Sequence, residues 1–489
     1  MRHSTQPLLR AVRSGALCRA GARCLATQQT QGARPAATGA VPYDVVVVGG
    51  GPTGCALAGA LGSLRALDGK RIALIDPGKL GDTRQWVPPA DTYLPRALQI
   101  TASNKDYLAR LGLWDQCYVD RIQAYGRAVV TDALGGGAID LAAEHEAASN
   151  AGVAYMTETK NLVSGLLKAI DSRPGVDVFE RAKVTGIERA PASAGGPAGW
   201  PVVALADRRR LQARLLVGAD GASSRVRRYA EIDTYGSDYS QYGLVATLCL
   251  EQLNHTAFQR FLPSGPVALL PFPGGFANLV WSLDADLFQL LRTAPEGAFA
   301  GLVNAAFRLP PAELQYMYDM LRDGADEAAI HAETAWRLDV FAKSSAAATA
   351  QLPPRLAAIS PKSRTSFPLR MRMVDSLIAD RVALVGDAGH LVHPLAGQGL
   401  NMGLEDVRCL AAQLELAAAG GEDLGAPAVL ERYSKQRYVR NLAMQGIINK
   451  VWHVFSARAP PVAALRSAAM DGLDRLPGIK SRLVGAFMQ

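Results

Sequence analysis

The 489-residue sequence is short of several things, and each shortage excludes a class of protein. No stretch approaches the roughly 18–20 uninterrupted apolar residues that a membrane-spanning helix requires. The six cysteines (Cys18, Cys24, Cys55, Cys117, Cys249, Cys409) contain no C-x-x-C pair, so neither a zinc site nor a disulfide frame is expected. There is no Gly-x-Ser-x-Gly elbow and no His-Glu-x-x-His, which leaves hydrolase chemistry unsupported. No internal repeat is visible. With 49% apolar and 20% charged residues, the chain is neither disordered nor fibrous, and it is long enough for two or three domains.

Acidic residues are also missing where it matters. None precedes Asp44, whereas six arginines do (Arg2, Arg10, Arg13, Arg19, Arg23, Arg34) and no lysine does. Residues 431–489 hold ten basic and three acidic side chains. The net charge of +8 is therefore a +6 leader, a +7 tail and a body of −5, and an acidic body argues against nucleic-acid binding. An Arg-rich, acid-free start with Leu8, Leu9, Val12 and Leu17 on one helical face has the composition of a mitochondrial transit peptide, expected over residues 1–41.

Ordered structure is expected from Tyr43, where Tyr-Asp-Val-Val-Val-Val runs into Gly49-Gly-Gly-Pro-Thr-Gly54. An apolar β-branched run ending in glycines reads as a buried parallel strand handing over to a helix. The helix ends near Asp68-Gly69, and Arg71–Ile75 is the next strand, so the chain opens with a βαβ unit of a doubly wound sheet. Pro191–Gly199 is a loop by composition, and Glu144-His145-Glu146 reads as a solvated face. The fold class is α/β: an FAD- or NAD(P)-type Rossmann domain with a β-sheet domain inserted and a helical C-terminus. The pieces expected are 42–118, 150–232 and 366–430 for the first domain, 119–149 and 233–365 for the inserted one, and 431–489 for the helical tail.

Gly49-x-Gly51-x-x-Gly54 gives a tight turn, close backbone approach to a pyrophosphate and close helix–strand packing, with the anion at the helix N-terminus. Asp76 falls 22 residues after Gly54, at the place of a carboxylate that accepts from ribose. Two later motifs, Val217-Gly-Ala-Asp220-Gly221 through Arg227 and Gly386-Asp387-Ala-Gly-His390, follow in order. With them the sequence resembles the class A flavoprotein aromatic hydroxylases, which have the p-hydroxybenzoate hydroxylase fold. Val217–Arg227, Gln259–Pro271 and His393–Gly403 narrow the likeness to the ubiquinone-biosynthesis hydroxylases, and Gln259–Pro271 is most similar to their mitochondrial, ring-carbon-5 branch. The resemblance runs from about Tyr43 to the C-terminus.

The resemblance implies FAD as cofactor. It places Asp387 on the ribityl chain, Arg96 near the pyrophosphate, and the loop Pro394, Gly397, Gln398, Gly399, Leu400 and Asn401 against the isoalloxazine, with Asp220 and Gly386 in the supporting motifs. A Gly-rich turn opening a helix aims N–H groups outward, which suits a reduced, anionic flavin ring. Gly389 replaces a usual alanine and Asp76 a usual glutamate. His390 and His393 lack a third ligand at metal spacing, so no metal is expected.

The family reaction passes through a 4a-hydroperoxyflavin formed with O2, which oxygenates a polyprenylated 4-hydroxybenzoate-type ring in ubiquinone biosynthesis. Tyr242, Arg260, Phe272 and Trp281 are candidates for the substrate wall, each with core packing as its alternative. Electrons would come from a ferredoxin with its reductase or from NAD(P)H. The implied location is the matrix face of the mitochondrial inner membrane, peripheral, beside other ubiquinone-biosynthesis proteins. Ile447, Ile448, Val451, Trp452, Val454 and Phe455, flanked by Lys450 and Arg458, could meet anionic lipid or pack on the protein. The rival readings are a class A hydroxylase of another ring position or phenol, and a non-catalytic carrier on the same fold.

Overall fold

A computed structural model describes residues 39–142, 154–190, 199–344 and 352–476. Residues 1–38 of the expected transit peptide, Glu144-His145-Glu146, residues 191–198 of the Pro-Gly loop and Pro477 lie outside the described residues. The opening strand Val41–Val48 buries Val45, Val46 and Val47 completely, and each such side chain contributes roughly 1.5–3 kcal/mol. It is the centre of an eight-stranded sheet whose main path runs Ile378–Ala379, Val382–Leu384, Arg210–Gly218, Val41–Val48, Ile72–Ile75, Val176–Phe179. From Val382–Leu384 to Val176–Phe179 every pairing is parallel. Helices Pro52–Leu61, Thr159–Asp171 and Gln398–Ala419 supply the apolar cover, through residues such as Leu57, Leu166 and Leu410.

The second sheet has nine strands. Its path is His390–Leu391, Thr365–Val374, Thr234–Leu250, Phe276–Asp284, Gly265–Pro271, Thr256–Leu262, Arg127–Asp132, Ala138–Ala142, with Leu356–Ile359 beside Thr234–Leu250. Leu244, Ala246, Leu248, Leu279 and Leu283 alternate onto one face and bury against the helices Ala285–Thr293, Glu296–Arg308 and Pro311–Arg322. Thr365–Val374 pairs along Thr234–Leu250 and so belongs to this sheet, although the sequence reading ended the inserted piece at 365. Likewise Gln123–Tyr125 joins a small three-stranded sheet with Ala97–Thr101 and Ala154–Glu158 rather than the large inserted one.

The basic C-terminus is two helices that tie these parts together. Pro427–Ser456 buries Tyr433, Arg437, Asn441 and Gln445, and the Tyr433 hydroxyl donates to the Leu384 carbonyl at 2.7 Å. Farther along, Trp452 Nε1 donates to Gln241 Oε1 and Phe455 stacks on Phe261, both partners lying on the second sheet. Pro460–Asp474 then rests on the Arg127–Ala142 hairpin, where Arg466 makes two 2.9 Å bonds to the Asp132 carboxylate and Ser467 donates a third. The apolar set for which lipid contact and packing on the protein were the two readings is thus divided. Ile448 is buried and Trp452 and Phe455 are packed, whereas Ile447 and Val454 are exposed. Among the described residues no helix is long and apolar enough to cross a membrane.

Arg466 and Asp132 are almost fully buried, so removing one partner strands the other's charge. Arg466→Ala is expected to lower unfolding free energy by about 3–5 kcal/mol in urea denaturation, with Arg466→Met paired with Asp132→Leu recovering most of the loss.

Candidate cofactor site at the edge of the parallel sheet

The strands Val41–Val48, Arg210–Gly218 and Val382–Leu384 end side by side, and the three motifs follow directly from their carboxyl ends. Ligands of open α/β sheets bind in this position. The glycines are required by contact. Gly49 has φ +114°, and a Cβ there would lie 2.3 Å from the Ala219 carbonyl oxygen. A Cβ on Gly54 would lie 1.8 Å from the Gly49 oxygen, while one on Gly51 would meet nothing within 4 Å. The turn is therefore closed on its protein side and open on the other. Gly51 caps helix Pro52–Leu61 without any side-chain cap, leaving the first N–H groups free for an anion.

The motif aspartates divide their work. Asp76 accepts from the Gly50 and Gly78 N–H groups, both at 2.6 Å, which fixes the end of Ile72–Ile75 and leaves further lone pairs on both oxygens. Asp220 turns inward: it accepts from the Ser224 hydroxyl and from the Arg225 and Val226 N–H groups, capping its own short helix. Its contribution is to shape the turn. Arg227 of the same segment donates to the Ala222 and Ala388 carbonyls, clamping the second motif to the third.

Asp387 is the opposite case, an exposed carboxylate with no hydrogen-bond partner among the described residues. Surrounding protein displaces enough water to raise its carboxyl pKa, and His390 pulls the other way. A charged acceptor left unpaired in a recess suits a ligand hydroxyl. Gly386, at φ +59°, makes the preceding turn, and a Cβ there would press on the Thr53 side chain at 3.0 Å. Gly389, where alanine is usual, sits where a Cβ would lie 2.8 Å from a Leu377 methyl, so packing accounts for the difference. Arg96 is exposed, and its guanidinium has no ion pair among the described residues.

The loop Pro394–Asn401 is held from beneath. Gly397, at φ +61°, caps helix Gln398–Ala419 with no side-chain cap, so the N–H groups of Gly399 and Leu400 lie in the uncapped first turn. Asn401 accepts from the Thr101 N–H at 2.9 Å and donates to the Gln99 and Gly397 carbonyls at 3.1 Å. Gln99 lies against Gly397 and accepts from the Tyr125 hydroxyl at 2.8 Å. His393, which introduces the loop, is fully buried with neither ring nitrogen paired, edge-on to Tyr239.

The four substrate-wall candidates are not brought together. Tyr242 stacks on Phe288, Trp281 packs near Phe299, and Arg260 donates to the Ala306 carbonyl, so all three face the helical layer. Burial accordingly lowers the Arg260 pKa to about 10. Only Phe272 lies on the other face, stacked on Tyr93 at 4.5 Å. There Thr247 and Asn278 donate to the Tyr93 and Pro95 carbonyls, and Arg121, paired with buried Glu158, lies 3.5 Å above the Tyr93 ring. Sequence reasoning missed this loop clamp. It also missed Asp406, whose signal was a carboxylate four residues from Met402 and from Leu410 on one helix.

Residues 42–264 and 334–445 match the family model of the FAD binding domain. The chain is 34% identical over 453 residues to the mitochondrial ubiquinone biosynthesis monooxygenase COQ6 of Saccharomyces cerevisiae, covering 90% of this chain and 92% of that one. It belongs to the COQ6 family of FAD-dependent monooxygenases. The human member is 33% identical over 446 residues, covering 90% and 92%. Among solved structures, p-nitrophenol 4-monooxygenase PnpA from Pseudomonas putida superposes with a TM-score of 0.64 at 18% identity, covering 92% of this chain and 98% of that one. PqsL of Pseudomonas aeruginosa, in complex with 2-aminobenzoylacetate, gives 0.60 at 22%, covering 87% and 100%. These likenesses share the p-hydroxybenzoate-hydroxylase-like fold. FAD is the cofactor, and the open Gly51 turn and unpaired Asp387 fit it.

Burial lowers the His393 pKa to about 4, against about 6.5 in the unfolded chain. The unfolded state then binds the extra proton between those values, so stability is full above about pH 6.5 and falls toward pH 4. His393→Phe is expected to remove about 3 kcal/mol of that decline in denaturation series at pH 7 and pH 4; an unchanged slope refutes the assignment.

Proposed function

We propose that the chain hydroxylates ring carbon 5 of a polyprenylated 4-hydroxybenzoate-type intermediate of ubiquinone biosynthesis. The observation that supports this most is the likeness to COQ6 enzymes over 90% of the chain, to which the unpaired Asp387 at the sheet edge adds a group suited to FAD. Bound FAD, once reduced, supplies the reaction with O2. The protein's part is to hold ring and cofactor together and to exclude water, which otherwise diverts oxygen to peroxide.

Gly51 and the first turn of Pro52–Leu61 would take the pyrophosphate, with Arg96 as its exposed cation, Asp76 the ribose and Asp387 the ribityl hydroxyls. The N–H groups of Gln398, Gly399 and Leu400 would face the isoalloxazine. The ring substrate would lie between this loop and the sheet face that carries Thr247, Asn278 and Phe272, walled by Tyr93. Neutral, buried His393 adds no charge behind the loop. A tailed substrate lives in a bilayer, and the exposed Ile447 and Val454 beside Lys450 offer a surface for the matrix face of the inner membrane, where other ubiquinone-biosynthesis proteins would be neighbours.

The test is turnover under 18O2 with a prenylated 4-hydroxybenzoate in anionic vesicles, supplied with a ferredoxin and its reductase, NADPH or NADH. One labelled oxygen at ring carbon 5, with the ferredoxin system the fastest reductant, is the expected result. Label at another ring carbon would move the assignment to a different hydroxylation step, and peroxide without labelled product under every donor would refute it.

A further inference from the structure

Asp406 belongs to none of the three dinucleotide motifs, yet it is the most heavily bonded side chain behind them. It has no exposed surface. One carboxylate oxygen accepts from the Gly386 N–H at 3.1 Å and meets His390 Nε2 at 2.5 Å. The other accepts from Arg437 Nε at 2.8 Å and from the Asn441 amide at 3.1 Å. Arg437 also donates to Asn441 Oδ1 at 2.8 Å and to the Met402 carbonyl at 3.3 Å. Three separate segments, the 386–390 turn, helix Gln398–Ala419 and helix Pro427–Ser456, thus close on one buried carboxylate.

The bond to Gly386 is the informative one. Gly386 carries the left-handed turn that aims Asp387 outward, and among the described residues its N–H is fixed by no other group. We infer that Asp406 is a positioning residue for FAD: with Arg437 and Asn441 of the C-terminal helix it fixes the Gly386 turn and thereby the direction of Asp387. The C-terminal helix is then part of the cofactor site without touching the cofactor. Isolated burial would raise the Asp406 pKa, but His390 and Arg437 more than offset it and hold it below the usual carboxylate range. The inference requires FAD at this edge and is independent of the ring substrate proposed above.

An asparagine cannot replace it, because its amide nitrogen is a donor and would face one of the two donor pairs. FAD release from the full-length holoprotein, followed by flavin fluorescence on dilution, is the measurement, with thermal stability recorded beside it. Asp406→Asn is expected to weaken FAD binding at least tenfold and to blur the vibronic shoulder of the bound-flavin spectrum, with Asp406→Glu restoring part of both. Tyr433→Phe removes a buried hydrogen bond from the same helix to the Leu384 carbonyl, at the end of strand Val382–Leu384, without reaching Gly386. It should lower stability while leaving FAD affinity within twofold. Should Asp406→Asn fail to fold, Asn441→Ala, which removes one of four donors, is expected to weaken FAD about three- to fivefold. Unchanged FAD affinity in Asp406→Asn, or in Asn441→Ala where that variant stands in for it, overturns the inference. So does a loss that merely tracks stability across all variants, Tyr433→Phe included.

Discussion

A carboxylate cannot remain ionised in an apolar interior unless donors fill its oxygens, because the desolvation cost is several kcal/mol. Asp406, on the helix after the flavin loop, meets that condition with four donors drawn from two other segments. The condition is stringent, since a single missing donor leaves buried charge uncompensated. It therefore specifies how the C-terminal helix, the Gly-Asp turn and the helix after the flavin loop sit together. The parallel sheet provides the platform and this junction provides the alignment.

The tail's charge changes meaning in that light. Ten basic residues near the C-terminus suggested an electrostatic surface, but Arg437 and Arg466 are buried partners of Asp406 and Asp132. They fasten one helix to the cofactor domain and the next to the inserted sheet. What is left for an external surface is smaller: among the described residues, Arg440, Lys450 and Arg475 with the exposed Ile447 and Val454, while Arg458 donates to the Pro263 carbonyl.

Features fixed by local sterics were legible in the sequence. The valine run, the glycines of the first motif, Gly386 and Gly397 are dictated by contacts within a few residues or by left-handed backbone, and the strands and helices around them lie close to where patterning puts them. Features decided by long-range packing were not. Alternation in Thr234–Leu250 groups Tyr242 with Leu244 and Leu248, but it does not say which face meets the helices, and Tyr242, Arg260 and Trp281 all fall on that face. Asp220 was legible as a motif member but not as a cap, because its role depends on where Ser224 and Arg225 point. The clamp of Arg121, Glu158 and Tyr93 joins residues far apart in sequence, and no spacing rule announces it. The strand Thr365–Val374 was divided from its sheet because its longer partner, Thr234–Leu250, precedes it by more than a hundred residues.

The central claim is that Asp387 is left unpaired so that it can bind FAD. Asp387→Asn keeps the side-chain shape and removes charge and acceptor strength at a position with no protein partner. Comparison of FAD dissociation constants for the wild-type and variant proteins tests the claim directly. The account predicts at least tenfold weaker binding with the stability of the FAD-free protein unchanged; equal affinity would contradict it.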